Sequence, residues 1–487
     1  MRSAVFPFVP KAPKTGIFSR SSRLVSMAAR VAGQEMKHKV RQRVTDSVEK
    51  ITQSEHATRI AQAKVLADNL SQLKGAAMKA GQLLSMDAGD WIPEEAAEIL
   101  AKLQGRAEPV DFDLLRKVLE EDIGDEAIAR LDNLNPEAAA SASIGQVHRA
   151  TVDGRPVAVK IQYPGIADSI DSDLAVLEKV AASFVTVSRS KVDLSGLFEE
   201  MNVILHLEAD YEQEAKNLER YRKLLAVDDR FTTPRTFPDL CGRRVLTMTW
   251  EEGMSLTDWV SSAPPRDVRQ GFAHAVLDLY CLEFFAWGFV QTDPNYANFM
   301  IRHADGGPSI DKIVLLDFGA TLRYPRPFRE QYVELLRTVA TQDPQKIIAA
   351  GVDFELMDPR ESTEAMHNFA DMMTCAMEPF EPRMQPFVFR DPSYDERARE
   401  VGVRFTRSLK YSPPPRSIIF LHRKLGGIFQ LLRKLDVSLD LVPYWERMIG
   451  DLPPERIDVE TEPSEETVRS SSAPSEIPPL GHPQPAN

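Results

Sequence analysis

Three short segments in a fixed order limit what this chain can fold into more than any other feature. They are Val157–Lys160 (Val-Ala-Val-Lys), Asp293–Asn298 (Asp-Pro-Asn-Tyr-Ala-Asn) and Asp317–Gly319 (Asp-Phe-Gly). The first is typical of a strand that ends in lysine, and the third follows the apolar run Val314–Leu316, which indicates a buried strand. A lysine ammonium binds phosphate oxygens, whereas aspartate and asparagine oxygens are ligands that Mg²⁺ prefers. The order and the spacing therefore predict one site for a phosphate compound and a divalent cation.

The segments match, in order, the parts with which a protein-kinase-like site binds ATP and Mg²⁺. Lys160 would pair with the α- and β-phosphates, provided that a carboxylate on a neighbouring helix holds its side chain. Asp293 would face the acceptor hydroxyl or water, and Asn298 and Asp317 would bind the metal. The alternative for Lys160 is an edge-strand lysine in water, and that for Asp317 is an ordinary turn after a buried strand. The combination of all three segments favours the ATP site.

The carboxylate that holds Lys160 is predicted within the acidic stretch 208–217, on a helix expected to span Leu194–Leu225. Three acidic residues are candidates for contact with the nucleotide: Glu208, Asp210 and Glu214. Because the last two are four residues apart, both side chains are expected on one face of that helix. The alternative is a solvated acidic surface, but this density of acid between apolar rows fits a site that needs several anions beside lysines and metal.

Two parts of the pattern depart from ordinary kinases. Gln291-Thr292 stands where His-Arg would precede the catalytic aspartate, which argues against ordinary activation-loop control. Ala138–Gln146, which we name the alanine segment, replaces the glycine-rich loop. Glycine lets the backbone approach phosphate oxygens and adopt positive φ, whereas alanine restricts that freedom, so we expect altered handling of the phosphates. The candidates for contact with the nucleotide here are Ala139, Ala140, Ser141 and Ser143.

Composition narrows the class of protein. The 487 residues are 43% hydrophobic and 27% charged, as in soluble globular proteins, and suffice for one large two-lobed domain with extensions. A net charge of −13 argues against nucleic-acid binding, which needs a basic surface. Three widely spaced cysteines fit neither a disulfide framework nor a zinc site and indicate a reducing compartment. The sequence has no apolar run long enough to predict a membrane-spanning helix.

The N-terminal region is strongly basic, with ten Lys or Arg and one Glu up to Arg43. It allows three interpretations: an organelle transit peptide, an arm that binds anionic lipid through an apolar face, or a solvated terminus. The helical pattern begins early and leaves little room for a transit peptide. We therefore expect a bacterial cytoplasmic protein, peripheral at the inner membrane, with the mitochondrial matrix as the alternative.

Periodicity predicts an α+β fold with two lobes. Strands are expected at Ala142–Ala150 and Arg155–Ile161, joined by a turn at Asp153-Gly154, and at Arg244–Trp250 before a hinge at Glu251–Gly253. The rest is rich in helices. The expected divisions are a basic, loosely ordered segment 1–34, a helical extension 35–130, a small lobe 131–252, a helical lobe 253–452 and a disordered tail 453–487.

The remaining motifs point to one family. In the helical extension, Lys79-Ala80-Gly81-Gln82 has its lysine and its glutamine three residues apart, and so on one helical face. This quartet resembles the KxGQ signature of the UbiB-type atypical kinases, also called the AarF-domain or ADCK family. The alanine segment, Glu208-Ala209-Asp210 (the ExD motif) and Gln291–Asn295 resemble other motifs of that family. The resemblance covers about residues 74–435 and indicates the coenzyme Q branch, which includes mitochondrial members.

The resemblance implies a protein-kinase-like fold whose N-terminal helical extension covers the site where a protein substrate would dock. It implies that Lys79 reaches towards Glu208 and Asp210 at the nucleotide, with Gln82 on the same helical face, while Lys160 pairs with Glu214. It also implies ubiquinone biosynthesis, and ATPase activity rather than phosphorylation of other proteins. Many members carry C-terminal transmembrane helices, whereas this sequence shows none, which favours peripheral association.

Three functions remain open. The first is a Mg²⁺-dependent ATPase that supports synthesis of ubiquinone or another isoprenoid lipid. Its partners would be a lipid or quinone precursor, quinone-biosynthesis enzymes and an anionic membrane surface. The second is a kinase for a small molecule or lipid, since Asp293 could accept a hydroxyl proton. The third is a non-catalytic scaffold, which the intact metal and phosphate residues disfavour.

Overall fold

The computed structural model describes residues 110–142, 144–175, 178, 195–304, 307, 309–409 and 416–454. Several predicted features lie outside these residues: the segment 1–34, most of the helical extension with Lys79 and Gln82, Ser143, and the tail beyond 454. The predicted divisions of the chain, and the extension over the active site, therefore stay predictions.

The described residues form a strand-rich lobe and a helix-rich lobe. The strands are β1 Ala138–Ser141, β2 Gly145–Val152, β3 Arg155–Gln162, β4 Phe231–Thr232, β5 Val245–Thr249, β6 Met254–Ser255, β7 Phe289–Gln291, β8 Phe299–His303, β9 Ile310–Leu315, β10 Thr321–Arg323, β11 Phe387–Val388 and β12 Ser438–Leu439. The α-helices are α1 Phe112–Asp122, α2 Gly124–Ile128, α3 Ser195–Glu208, α4 Tyr211–Leu224, α5 Leu256–Ser261, α6 Arg266–Cys281, α7 Arg326–Ala340, α8 Pro344–Asp353, α9 Thr363–Met377, α10 Pro392–Ser408, α11 Arg416–Lys434 and α12 Val442–Ile449.

The small lobe is built on an antiparallel sheet with the strand order β1-β2-β3-β5. Asp153 and Gly154 join β2 to β3 with φ of 50° and 74°, the mirror-image two-residue turn that matches the twist of a hairpin. The predicted hairpin is therefore confirmed. Its first strand differs from the expectation, because residues 138–141 form a separate strand, β1, and β2 begins only at Gly145.

The predicted helix Leu194–Leu225 is two helices. α3 ends at Glu208, and the Asp210 carboxylate accepts a hydrogen bond from the backbone N–H of Gln213 at 2.9 Å, which caps the start of α4. Because a capping residue lies outside the helix, the expectation that Asp210 and Glu214 share a helical face was wrong. The break arises because Asp210 satisfies an N–H group that a continuous helix would pair with a carbonyl.

Two strand pairs in the large lobe bring distant loops together. β7 pairs with β10, with Gln291 opposite Thr321, and β8 pairs with β9, with Phe299 opposite Leu315. Residues 292–298 connect β7 to β8, and residues 316–320 connect β9 to β10. The predicted catalytic and metal-binding loops therefore emerge side by side. Residues 250–253, where the hinge was predicted, link β5 of the first sheet to β6 of the second.

Helices pack behind these loops. α6 continues into a π-helix at Leu282–Trp287, which ends at Gly288 with a left-handed φ of 61°. α11 is amphipathic, and Leu421, Ile428 and Leu432 on its apolar side are buried in the core that both lobes share. Among the described helices, none is both long and apolar enough to cross a lipid bilayer.

Candidate active site

Lys160 lies at the centre of the site, near the end of β3. Its Nζ donates to both carboxylate oxygens of Glu214 on α4, at 2.9 and 2.8 Å, and lies 3.4 Å from Oδ2 of Asp317. The side chains of Lys160 and Glu214 are 9% and 1% exposed, whereas that of Asp317 is 32% exposed. The structure thus places three predicted residues in contact, with Asp317 on the side open to a ligand.

Electrostatics at this centre are dominated by an excess of negative charge. Burial alone would lower the pKa of Lys160, but Asp317 and Glu214 together raise it well above its ordinary value. Burial raises the pKa of Glu214 to about 7, against the attraction of the Lys160 ammonium. One ammonium is therefore shared among several carboxylates, and it stays protonated at neutral pH.

Glu208 of the ExD motif lies against the Asp-Phe-Gly turn. It is buried, and a Cβ added at Gly319 would lie 3.3 Å from its Cα and 3.5 Å from Oδ1 of Asp317. The Gly319 N–H donates to that same oxygen at 3.1 Å. Glycine is needed here for close approach. Of the two acidic ExD residues, Glu208 is thus placed at the metal loop, while Asp210 caps α4.

Asp293 and Asn298 face each other across the catalytic loop. Asn298 Nδ2 donates to Oδ2 of Asp293 at 3.2 Å, and both residues are buried. The Leu316 N–H donates to the Asn298 carbonyl at 2.9 Å, which joins this loop to the residue that precedes Asp317. The two predicted metal-binding residues are therefore adjacent.

The donor set fits Mg²⁺. Asp317 and Asn298 offer hard oxygen ligands, and the carboxylates around Lys160 leave a negative excess that a divalent cation would neutralise. Within the described residues, no three His, Cys, Asp or Glu side chains converge as a complete metal site. Mg²⁺ in nucleotide sites takes one or two carboxylates from the protein, and phosphate oxygens and water complete its coordination.

The alanine segment forms the outer edge of the site. Ala139, Ala140 and Ser141 are exposed on β1, and the described residues from 138 to 142 all have negative φ. The Ala142 N–H donates to the Gly145 carbonyl at 2.9 Å and closes the turn. The segment is therefore a short hairpin in ordinary strand conformation.

Tyr211, which sequence reasoning missed, lies against this hairpin at Gly145. Lys160 Nζ lies 4.7 Å from the centre of its ring. Its buried hydroxyl would lie 2.8 Å from a Cβ added at Gly145, so that position accepts only glycine without a shift. An aromatic residue directly after the ExD motif, at the start of a helix, was the available signal.

Asn217 and Tyr221, also missed, extend the contacts of α4. Asn217 Nδ2 donates to the carbonyl of Phe318 at 3.0 Å, and the Tyr221 ring lies 4.5 Å from the Phe318 ring. Asn217 and Tyr221 follow Glu214 by three and seven residues, so the three side chains lie on one face of the helix. One face of α4 therefore contacts Lys160 and the metal loop, and the signal was a polar residue, Asn217, within an otherwise packed row.

Known proteins resemble this chain in sequence and in fold. Residues 102–350 match the model of the ABC1 atypical kinase-like domain. The chain is 32% identical over 376 residues to the mitochondrial atypical kinase COQ8B of Danio rerio. It is 31% identical over 382 residues to the mitochondrial atypical kinase COQ8 of Saccharomyces cerevisiae. This chain belongs to the ABC1 family of atypical kinases. The predicted UbiB-type family and its coenzyme Q branch are thereby confirmed.

The ABC1 matches cover different shares of the relatives. Both alignments span 77% of this chain, but only 59% of the zebrafish protein and 73% of the yeast protein. A solved structure, the complex of Rv3197 with erythromycin from Mycobacterium tuberculosis, matches with a TM-score of 0.54. That match covers 83% of this chain and 99% of the other at 24% identity, so it shows the fold alone. It confirms the predicted two-lobed, kinase-like α+β fold class.

Proposed function

We propose that this ABC1-family chain binds Mg-ATP and hydrolyses it in support of the biosynthesis of ubiquinone or another isoprenoid lipid. The observation that carries the proposal is the position of Lys160, which contacts Glu214 and Asp317 at 2.8 and 3.4 Å. This is the arrangement in which a kinase-like lysine holds nucleotide phosphates beside the metal-binding aspartate. Its pairing with a buried glutamate keeps the ammonium extended into the site.

Each residue has a proposed role. Lys160 binds the α- and β-phosphates, and Asn298 and Asp317 hold Mg²⁺, which neutralises phosphate charge when it is bound. Asp293, whose carboxylate is oriented by Asn298, positions water and takes its proton as the γ-phosphoryl group is attacked. Glu208 adds negative charge at the metal loop. The proposed contributions of Lys79, Gln82 and Ser143 concern residues outside the described part of the chain.

A kinase for a lipid or a small molecule is the second candidate, since the same geometry at Asp293 could accept a proton from a hydroxyl group. A scaffold without catalysis is disfavoured by the intact Lys160–Glu214 pair. The COQ8 relatives are named as mitochondrial proteins. We propose peripheral attachment to an anionic membrane, with quinone precursors and quinone-biosynthesis enzymes as partners, in a bacterial cytoplasm or a mitochondrial matrix.

Phosphate release tests the chemistry. Wild type and Asp317→Asn are incubated with Mg-ATP labelled at the γ-phosphate, with and without vesicles that contain anionic lipid. We expect free phosphate from wild type, more of it with vesicles, and almost none from the variant. Label on a lipid instead of in solution would establish the kinase. ATP binding without turnover under any condition would establish the scaffold.

Quinone profiling tests the pathway. The gene is deleted in its own host and replaced with wild type or Asp317→Asn, and the quinones are measured by mass spectrometry. We expect quinone loss in the deletion strain and in the variant, and recovery with wild type. Normal quinone levels in the deletion strain would refute the pathway while leaving the ATP chemistry intact.

A further inference from the structure

A buried ion pair lies behind the catalytic loop, between residues that are 141 positions apart in the sequence. Lys424 Nζ on α11 donates to Oε2 of Glu283 in the π-helix, and the side chains are 7% and 1% exposed. Burial raises the pKa of Glu283 and lowers the pKa of Lys424, so each charge depends on its partner. Charged side chains are rarely buried so fully unless each is paired with an opposite charge and hydrogen-bonded to further polar groups.

The pair holds the backbone of Gln291 from both sides. Lys424 Nζ also donates to the Gln291 carbonyl at 2.8 Å. The Gln291 N–H donates to the hydroxyl of Tyr221 at 2.6 Å, and that hydroxyl contacts Glu283 Oε1 at 2.9 Å. The Gln291 side chain then donates to the carbonyl of Asp293 at 2.9 Å. A closed ring of hydrogen bonds therefore fixes the chain two residues before the catalytic aspartate.

α11 makes a second contact directly after that aspartate. Gly427 is packed so tightly against Pro294 that a Cβ at position 427 would overlap the proline ring. Gly427 follows Lys424 by three residues, so one side of α11 contacts the loop both before and after Asp293. The next residue back, Gly426, has no atom within 4 Å of an added Cβ. The tight approach is therefore specific to the position that faces the loop.

Tyr221 connects this clamp to the other half of the site. It lies on the α4 face that carries Glu214, and its ring packs 4.5 Å from Phe318 of the metal loop. The Lys160 pair, the metal loop and the catalytic loop are thus held by one helix. Gln291-Thr292 stands where ordinary kinases place His-Arg, so this chain lacks the arginine through which activation-loop control is usually exerted.

We propose that Tyr221, Glu283 and Lys424, with the close contact at Gly427, are positioning residues that hold Asp293 in its working geometry by means of buried contacts alone. They set the backbone of the catalytic loop and couple it to α4, so the loop needs no phosphorylation to be aligned. The proposal rests on the proposed ATP turnover for its kinetic test, and a second measurement is independent of turnover.

A glycine pair provides the kinetic test. Gly427→Ala pushes α11 away from Pro294, whereas Gly426→Ala places the same methyl group in open space on the same helix. We expect Gly427→Ala to lower kcat about 10- to 100-fold, the scale of a misplacement of about 1 Å, with KM for ATP unchanged within about twofold. Gly426→Ala is expected to keep wild-type kcat. Equal kcat for the two variants would overturn the proposal.

Amide hydrogen exchange tests the same clamp without turnover. Tyr221→Phe removes the acceptor of the Gln291 N–H. Tyr332→Phe is the control, because it removes the hydroxyl of another buried tyrosine, one that contacts His422 of α11 at 3.2 Å and not the backbone of Gln291. We expect faster exchange in a peptide that covers residues 289–298 for Tyr221→Phe only. An inactive wild type that shows this difference would refute the ATPase but not the clamp. Unchanged exchange in Tyr221→Phe would refute the clamp.

The ion pair itself needs a double variant, since either single change leaves a buried charge and is expected to impair folding. Glu283→Gln combined with Lys424→Met removes both charges at similar volume. We expect a folded protein with normal Mg-ATP binding, lower kcat and faster exchange at residues 289–298. A folded double variant with wild-type kcat would show that the pair has only a structural role.

Discussion

The back and the front of the site are built in different ways. At the back, Lys160, Glu214, Asp293 and Asn298 are buried, and Lys160 is hydrogen-bonded to Glu214 on another element. At the front, Ala139, Ala140 and Ser141 of the alanine segment are exposed on β1, and the hydrogen bond from the Ala142 N–H to the Gly145 carbonyl closes its turn. On the proposed function, the first region would hold metal and phosphate, where a small displacement is costly, whereas the second would cover the phosphates with a surface that tolerates substitution.

The difference suggests how the ABC1 site departs from ordinary kinases. The buried half has the lysine, the glutamate and both loop aspartates, with the Lys160 ammonium shared between Glu214 and Asp317. The exposed strand of the alanine segment, residues 138–141, has no glycine, and none of the described residues from 138 to 142 has positive φ. We therefore expect substitutions at the back to affect turnover strongly, and substitutions at the front to adjust nucleotide preference.

The largest effect is expected at Lys160. Lys160→Met leaves Glu214 and Asp317 without their shared cation, so phosphate binding is lost, and kcat/KM for ATP should fall on the order of 10²- to 10³-fold. Lys216→Met is the matched control, because Lys216 is exposed on the same α4 helix and pairs only with Glu212, at 3.5 Å. Steady-state phosphate release measures both. A similar loss in the two variants would break the contrast between buried and surface charge.

A smaller effect is expected from pH. Since the pKa of Glu214 is about 7, its carboxylate is charged and fully paired with Lys160 only above that pH. Turnover should therefore rise between pH 6 and 8, as the carboxylate becomes charged. Glu214→Gln should lower turnover roughly tenfold at pH 8, since an uncharged side chain holds the lysine less well. Turnover of this variant should not rise between pH 6 and 8, because the titrating carboxyl is gone. If turnover of the variant still rises near pH 7, the rise belongs to the titration of another residue.

The Glu214 carboxyl gives stability the opposite pH dependence from turnover, because its contribution to stability falls as the pH rises. A carboxyl whose folded pKa is raised binds more protons in the folded than in the unfolded chain. Its contribution to the free energy of unfolding is therefore full below its ordinary pKa of 4.5 and is lost as the pH rises to about 7. Melting temperatures of wild type and Glu214→Gln between pH 5 and 8 measure this. We expect the difference between them to narrow as the pH falls.

Local patterns predicted the parts of the fold that local chemistry determines. The Asp153-Gly154 turn determines the β2–β3 hairpin, and the second and third opening segments come together because β7–β10 and β8–β9 pair. The break before α4 was missed, although Asp210 followed by Gln213 is a capping signal at a helix start. Apolar periodicity continued across the break, so it masked the polar signal for a new helix.

Long-range contacts could not be predicted in this way. Lys424 interrupts the apolar row of α11, which marks it as a candidate for burial, but nothing near it in sequence identifies Glu283 as its partner. Similarly, Gly427 can be recognised as costly in a helix, while its contact with Pro294 depends on how α11 docks. The sequence thus identified the residues to which we assign the chemistry, whereas only the packing revealed the residues that we propose position them.

The smallest effect is expected at the front. Ala139→Gly and Ala140→Gly give the alanine segment access to positive φ at exposed positions, where no core contact is lost. We expect Kd for ATP or ADP to change only a few-fold, or about 1 kcal/mol or less, with a changed ratio between the two nucleotides. Titration calorimetry with each Mg-nucleotide measures this, and kcat/KM shows whether turnover follows. Unchanged binding of both nucleotides in both variants would mean that the front, although remodelled, does not adjust how this site handles phosphate.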